Sequence, residues 1–156
     1  MPGYGVLPAG EGTGLLPWSW AEERLKSSRN YWVVSTWPDG RPHAMPVWGM
    51  WHDDEFWFSS SKPSRKARNL MANPHCVVAT EDAENPVVIE GTAGLITAPQ
   101  ELDLMLELEN IKYSTSYGIE MLDPQLNASF RVRPIWAFGL QAGDFTGSPT
   151  RWEFEA

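Results

Sequence analysis

The sequence is short of several things, and each absence removes a class of function. It has a single cysteine, Cys76, among 156 residues, so neither an internal disulfide nor a cysteine-rich metal site is available. Val77, Val78 and Ala79 beside it read as a buried, inert thiol. Its three histidines, His43, His52 and His75, are scattered and lack carboxylates at ligand spacing, so no metal site is expected. No Gly-x-Ser-x-Gly elbow supports a serine hydrolase, and no Gly-x-Gly-x-x-Gly follows a strand to open a dinucleotide-binding crossover. No apolar run approaches the roughly 20 residues of a membrane span, and no charged-then-apolar leader opens the chain. A soluble, cytoplasmic protein is the expectation. Positive charge is scarce too: 12 basic residues against 20 acidic ones give a net charge of −8, which argues against nucleic acid as a partner.

Against that background, four of the 12 basic residues fall within seven positions: Lys62, Arg65, Lys66 and Arg68. They follow an aromatic strand (Glu55-Phe56-Trp57-Phe58) and open a short helix that Asn73-Pro74 closes. Ser64 is placed to cap that helix, which puts Arg65, Lys66 and Arg68 in its first turn. Cations are disfavoured there, since the first turn already carries about half a positive charge. Free backbone N–H groups, a serine hydroxyl and cationic side chains at one helix start form a seat for a phosphate.

The chain length suits one domain. Residues 1–17, rich in Gly and Pro, read as a flexible arm, and residues 18–156 as the folded unit. Ser19 and Glu22 match a capping box before a helix. Tyr31–Thr36, Arg41–Trp51 and Glu55–Ser59 read as an antiparallel meander, with a Pro-Asp-Gly turn between the first two. Pro42 and Pro46 cannot donate to a ladder, so the second strand should lie on an edge or at a bulge. His75–Thr80 and Val87–Ile96 continue the sheet, the latter bent at Gly91 and Gly94. Thr97 and Gln100 form a second capping box before a helix over 99–113, whose wide apolar set should pack on two sides. Two strands separated by Pro134 and a short one over 151–154 complete a mainly β, six- to seven-stranded antiparallel split barrel with short flanking helices.

Five of the nine tryptophans (Trp32, Trp37, Trp48, Trp51, Trp57) lie in the first hairpins. They suit core packing, and several together beside a phosphate seat could also stack on a planar ring. Two or three charge-assisted bonds of roughly 1.5–3 kcal/mol fall short of the roughly 8 kcal/mol behind micromolar binding, so ring burial must add the rest. No catalytic side chain stands out, which fits a cofactor that brings its own reactivity.

The run Arg-Pro-His-Ala-Met-Pro-Val-Trp, then Phe-Trp-Phe-Ser-Ser, then Ser-Arg-Lys-Ala-Arg-Asn-Leu and Asn-Pro-His resembles the pyridoxamine 5′-phosphate oxidase-like split-barrel family. More closely, it resembles the flavin/deazaflavin oxidoreductase branch. The likeness covers roughly residues 18–96 and resumes near 130–138 and 149–154. It implies that Ser64, Arg65 and Lys66 hold a cofactor phosphate. The ring would lie along Pro46, Val47, Trp48 and Gly49, and along Phe58, Ser59 and Ser60. Lys62 and Arg68 could meet the carboxylates of a deazaflavin tail, and Arg151 of Arg-x-x-Phe would reach the cofactor across a homodimer interface. The implied function is a coenzyme F420 (deazaflavin)-dependent oxidoreductase acting on a small organic acceptor. FMN-dependent oxidation and non-catalytic flavin or deazaflavin binding are the alternatives, and a structural dimer is a third.

Overall fold

Strand β1 (Tyr31–Thr36) buries Tyr31, Val33 and Ser35 and turns Trp32, Val34 and Thr36 toward the other face, the alternation a one-sided strand requires. The computed structural model describes residues 3–155. The Trp37–Gly40 turn forms as the sequence predicts: the Gly40 N–H reaches the Trp37 carbonyl at 2.9 Å, and Gly40 takes φ 89°. Strand β2 (Pro42–Val47) then pairs with β1 and is mostly exposed. It is the terminal strand of the sheet, as its two prolines demand.

After β2 the backbone turns a corner at Trp48-Gly49 and continues as β3 (Met50–His52). Strand β3 pairs not with β1 but with β4 (Glu55–Ser61), at the opposite end of the sheet. The strand order is β2-β1-β5-β6-β7-β4-β3, with β5 at His75–Thr80, β6 at Val87–Leu95 and β7 at Asn127–Gly139. The two ends of the sheet are therefore joined by a covalent corner rather than a ladder, which makes the barrel split. Strand β8 (Thr150–Glu153) adds to β7 alongside, giving eight strands, all antiparallel. The expected fold class holds. The expected second strand divides in two at the corner.

Helix α2 (Arg65–Ala72) lies against β1, β2 and β4, and so bridges the split. Its inner face is Ala67, Asn69 and Leu70, with the Asn69 amide donating to the Ser35 hydroxyl at 3.1 Å. Helix α1 (Trp18–Ser27) buries Ala21 and Leu25 on the barrel. Helix α3 (Pro99–Tyr113) packs on β3 with Met50, Trp57, Ile96 and Leu122, the last from a 3₁₀ turn at Ile119–Leu122.

Several local expectations are corrected. Neither capping box forms. Helix α1 starts at Trp18 directly after Pro17, and Glu22 pairs with Lys26 at 2.8 Å instead of returning to Ser19. Helix α3 starts at Pro99, which has no N–H to be capped. The residues either side of Pro134 form one strand, because Pro134 falls where β7 exchanges β4 for β8: the β4 register ends at Val132 and the β8 register begins at Trp136. A missing donor is tolerated at such a junction. Gly91 does mark a bulge: the register shifts there, and a Cβ would overlap the Arg133 carbonyl. Helix α3 buries one stripe (Leu102, Met105, Glu109, Tyr113) rather than two, leaving Ile111 71% exposed.

Residues of the arm bond to β8 and to the loop before it: the Gly14 N–H reaches the Gly147 carbonyl at 3.0 Å, and the Leu16 N–H reaches Oγ1 of Thr150, the first residue of β8, at 2.9 Å. The loop after β5 carries Glu81, which accepts the Arg29 and Asn30 N–H groups and ties the α1–β1 turn to the sheet. Cys76 is buried, and that burial pushes its thiol up to about 12, so it is inert as read.

Candidate functional site: a cationic helix start in the split of the barrel

Two strand edges border the split. The outer edge of β2 has no partner, and β3 pairs with β4 only as far as Trp57, so the edge of Phe58–Ser61 is free on that side. The start of α2 closes one end. Ser64 caps it, its hydroxyl accepting the Ala67 N–H at 3.2 Å and lying 2.8 Å from the Ser60 hydroxyl. This bond ties the end of β4 to the helix. Ser64→Ala should destabilise the protein by about 1 kcal/mol and Ser64→Gly by only a few tenths, as urea unfolding would read.

The cations stand around that cap. None of Lys62, Arg65, Lys66 and Arg68 forms an ion pair with a described residue; of the other eight basic residues, Lys26, Arg41, Arg131, Arg133 and Arg151 find a carboxylate, and Arg24, Arg29 and Lys112 do not. The Arg65 guanidinium lies 3.9 Å over the Trp37 ring and reaches Asn69 only at 3.5 Å. Its Nε is buried without a hydrogen-bond partner. Burial holds the Lys66 ammonium below the ordinary lysine range. A buried guanidinium N–H with no acceptor and a desolvated ammonium both gain from an anion beside them. Residues at this helix start therefore fit a phosphate-bearing cofactor. Lys62 and Arg68 are exposed at its margin.

The other predicted residues divide. Ser59, Ser60 and Ser61 line a cleft of about 300 Å³ together with Glu109, Met121, Leu122 and Asn127. Trp48 and Gly49 form the corner, and Pro46 and Val47 lead into it along the free edge of β2. The Phe58 side chain is fully buried and stacks on Phe56 and Phe130, so only its backbone borders the split. Arg151, expected to act across a homodimer interface, lies away from this group within one chain: it is on β8, paired with Glu153 at 3.4 Å and 4.7 Å from the Trp136 ring centroid. There it lines a separate cleft with Leu7, Val88 and Phe138. The aromatic wall is also thinner than five tryptophans suggest. Trp51 and Trp57 are in the core, Trp32 faces outward on β1, and Trp37 is covered by Arg65 and Arg41.

Sequence reasoning missed three residues on α3. Tyr113 stacks flat on Trp48, with centroids 4.1 Å apart, and its hydroxyl accepts the Gly49 N–H at 2.9 Å. Lys112 donates to the Gly49 carbonyl at 2.8 Å and to the Tyr31 hydroxyl at 2.6 Å. Together they clamp the corner. Glu109, one turn earlier, sits inside the buried stripe; a charged residue at that spacing was the signal available in the sequence. Burial, and secondarily the charge of Arg29, lower the Lys112 ammonium to about 8 from an ordinary 10.5. A depressed lysine weakens the folded state while it is charged, and that penalty fades as pH rises through the folded value toward the unfolded one. The stability of the wild type relative to Lys112→Met should therefore improve between about pH 7 and pH 9.5. Urea unfolding at both ends would read it, and a flat or falling difference would contradict the burial of that amine.

The antiparallel split barrel, together with the matches that follow, places the chain in the flavin and deazaflavin split-barrel superfamily. The chain belongs to the pyridoxamine 5′-phosphate oxidase family, whose model matches residues 21–138. It is 30% identical over 135 residues to a pyridoxine/pyridoxamine 5′-phosphate oxidase of Bacteroides thetaiotaomicron, covering 75% of this chain and 62% of that one. It thus spans under two thirds of that relative's length. Among solved structures, a conserved hypothetical protein of Mycobacterium tuberculosis superposes with TM-score 0.70 at 20% identity, over 88% of this chain and 85% of the other. An F420 reductase superposes with TM-score 0.60 at 22% identity, over 72% of this chain and 91% of that one. ChuZ of Campylobacter jejuni gives 0.73 at 10% identity, over 85% and 57%. At these identities the structural likenesses establish the fold. Among the described residues no helix is long and apolar enough to cross a membrane, and no cluster of His, Cys, Asp or Glu suits a metal.

Proposed function

We propose that the protein is a deazaflavin-dependent oxidoreductase of the cytoplasm, using coenzyme F420 to move a hydride between the cofactor and a small organic acceptor. The observation that carries this reading is the set of unpaired cations around the Ser64 cap, with the Arg65 Nε buried and unpartnered. In a chain of net charge −8, four such cations at one helix start call for an anionic ligand. Ser64, Arg65 and Lys66 would hold its phosphate, and Lys62 and Arg68 the carboxylates of its tail. Pro46, Val47, Trp48 and Gly49 on one edge, and Ser59 and Ser60 with the Phe58 backbone on the other, would border its ring. The bound cofactor supplies the hydride; the protein binds, orients and excludes water.

FMN is the second reading, favoured by the oxidase to which the chain is 30% identical. It would use the same phosphate seat and leave Lys62 and Arg68 in solvent. Incubating the protein with each cofactor separately, followed by gel filtration and absorbance, separates the two. Retention of the deazaflavin supports the first reading, retention of FMN alone replaces it with the second, and retention of neither overturns both. Turnover of an acceptor by the loaded protein distinguishes an enzyme from a non-catalytic binder. A homodimer would bring Arg151 of a second copy to the cofactor and cover apolar surface such as Ile111, Ile119 and Leu126. Light scattering showing only monomer at micromolar concentration would remove that contribution.

A further inference from the structure

Two nitrogens near the start of α2 are buried without a hydrogen-bond partner among the described residues: Nε of Arg65 and Nδ1 of His43. Folded proteins leave few such atoms, and each calls for a ligand, a water or a functional reason. The first belongs to the cation set described above. The second stands on the edge strand β2, and no part of that set accounts for it. His43 lies opposite Ser35 of β1, so the two side chains share one face of the sheet. Ser35 is buried and its hydroxyl accepts the Asn69 amide, which makes this the face that α2 covers. The His43 imidazole is half-buried on an otherwise open strand, and Nδ1 is its closed-off end. The ring meets Trp37 edge-on with centroids 6.3 Å apart, and the Arg65 guanidinium lies 3.9 Å over the same indole. Arg65 also approaches Asn69, the residue bonded to Ser35. Trp37, Asn69 and Ser35 thus hold both unpartnered nitrogens in one neighbourhood, between β2 and the first turn of α2.

The two nitrogens do not satisfy each other. The Arg65 Nε–H is a donor in every state, and a bare Nδ1 within reach would accept it, but no such bond forms. With a hydrogen on Nδ1 both are donors, and an anion with several oxygens serves both. We propose that His43 is a further phosphate-binding residue of this site, its Nδ1–H donating to the same cofactor phosphate as the Arg65 Nε–H. The inference rests on the functional reading above, which supplies the phosphate. It makes the seat two-sided, with helix α2 as one wall and the edge strand β2 as the other. His43 also precedes Pro46 by three residues on that strand, so one continuous edge would register both the phosphate and the ring. A cofactor lacking the phosphate forgoes the bonds from both walls and leaves two buried donors unpaired, which is how a buried polar site rejects an incomplete ligand.

The test compares ligands that differ only by the phosphate: FMN against riboflavin, and the matching 5-deazaflavin pair with and without the ribityl phosphate. Wild type should prefer the phosphorylated member of whichever pair it binds. His43→Leu should reduce that preference by about tenfold or more, as loss of a hydrogen bond to a charged group requires. Affinity for the phosphate-free member should stay within about threefold of wild type, since the ring contacts are untouched. Asparagine presents an amide N–H near the place of Nδ1, so His43→Asn should keep most of the preference. Neither variant should lower the urea midpoint, because the nitrogen removed has no partner to lose. In wild type, the imidazole NMR signals that disappear in His43→Asn should shift with the phosphorylated ligand and stay in place with its phosphate-free partner. An unchanged preference in His43→Leu, or imidazole signals that ignore the phosphate, overturns the role of His43 while leaving the cofactor reading intact. A drop in stability with the preference retained would make His43 a structural residue and overturns the role equally. Failure of wild type to bind any of the four ligands would overturn the functional reading and this inference with it.

Discussion

Replacing Arg65 and Lys66 together with alanine should release the cofactor while leaving the barrel intact. Each supplies a charge-assisted contact to a phosphate, at roughly 1.5–3 kcal/mol apiece, so the pair should weaken binding by about 10²- to 10⁴-fold. Neither side chain holds the fold together. Arg65 makes one marginal bond within its own helix and a stack on Trp37, and Lys66 makes no ion pair with a described residue. Burial already disfavours the Lys66 charge, so its removal should not lower stability. Titration of the double variant with F420 and with FMN, beside its thermal midpoint, reads both halves of the expectation. Retention of cofactor within about threefold of wild type would mean that the helix start is only a solvated basic turn. A matching loss of stability would mean that the cations serve the fold. Salt gives an independent check, since an exposed phosphate contact weakens as ionic strength rises.

The parts of this site legible in the sequence are those whose physics is local. A serine three residues before an amide it can cap is readable from spacing, and Ser64 does bond Ala67. Pro42 and Pro46 announce an unpaired edge because a missing donor needs no partner to be noticed. Strand period also places the Phe58 side chain, which shares its parity with core Phe56 and so points inward with it. Trp57, of opposite parity, is buried as well, because α3 covers the other face of β4; that depends on a contact far along the chain. The same limit hid Glu109, Lys112 and Tyr113. Their importance comes from the strand ends they meet, about 50 to 80 residues earlier, and no window of α3 contains Gly49 or Tyr31. The two failed capping boxes show the converse. Ser19 and Thr97 carry the pattern, but Pro17 and Pro99 set where each helix begins.

Gly49 is where the fold and the site meet, and Gly49→Ala should show it. The corner needs a residue without a side chain: a Cβ there would overlap the Phe56 ring and come within 2.9 Å of the Trp57 carbonyl oxygen. Phe56 is fully buried and packed against Tyr31 and Phe58, so it cannot swing aside without disturbing the core. Overpacking of this kind costs about 1–3 kcal/mol, or about 2–12 °C in Tm for a chain of this length. The displacement has one cheap outlet, outward movement of the Trp48-Gly49 backbone. That outlet breaks the bonds from Tyr113 and Lys112 to Gly49 and unstacks Trp48 from Tyr113. Gly49→Ala should therefore lower stability and cofactor affinity together, whereas the Arg65/Lys66 double variant should lower affinity alone. Adding Tyr113→Phe to Gly49→Ala should then produce less further loss than Tyr113→Phe produces in the wild type, because the contact it removes is already broken. Full additivity in that cycle would show that the corner absorbs the methyl without moving, and that the clamp from α3 does not set the position of the ring-lining edge.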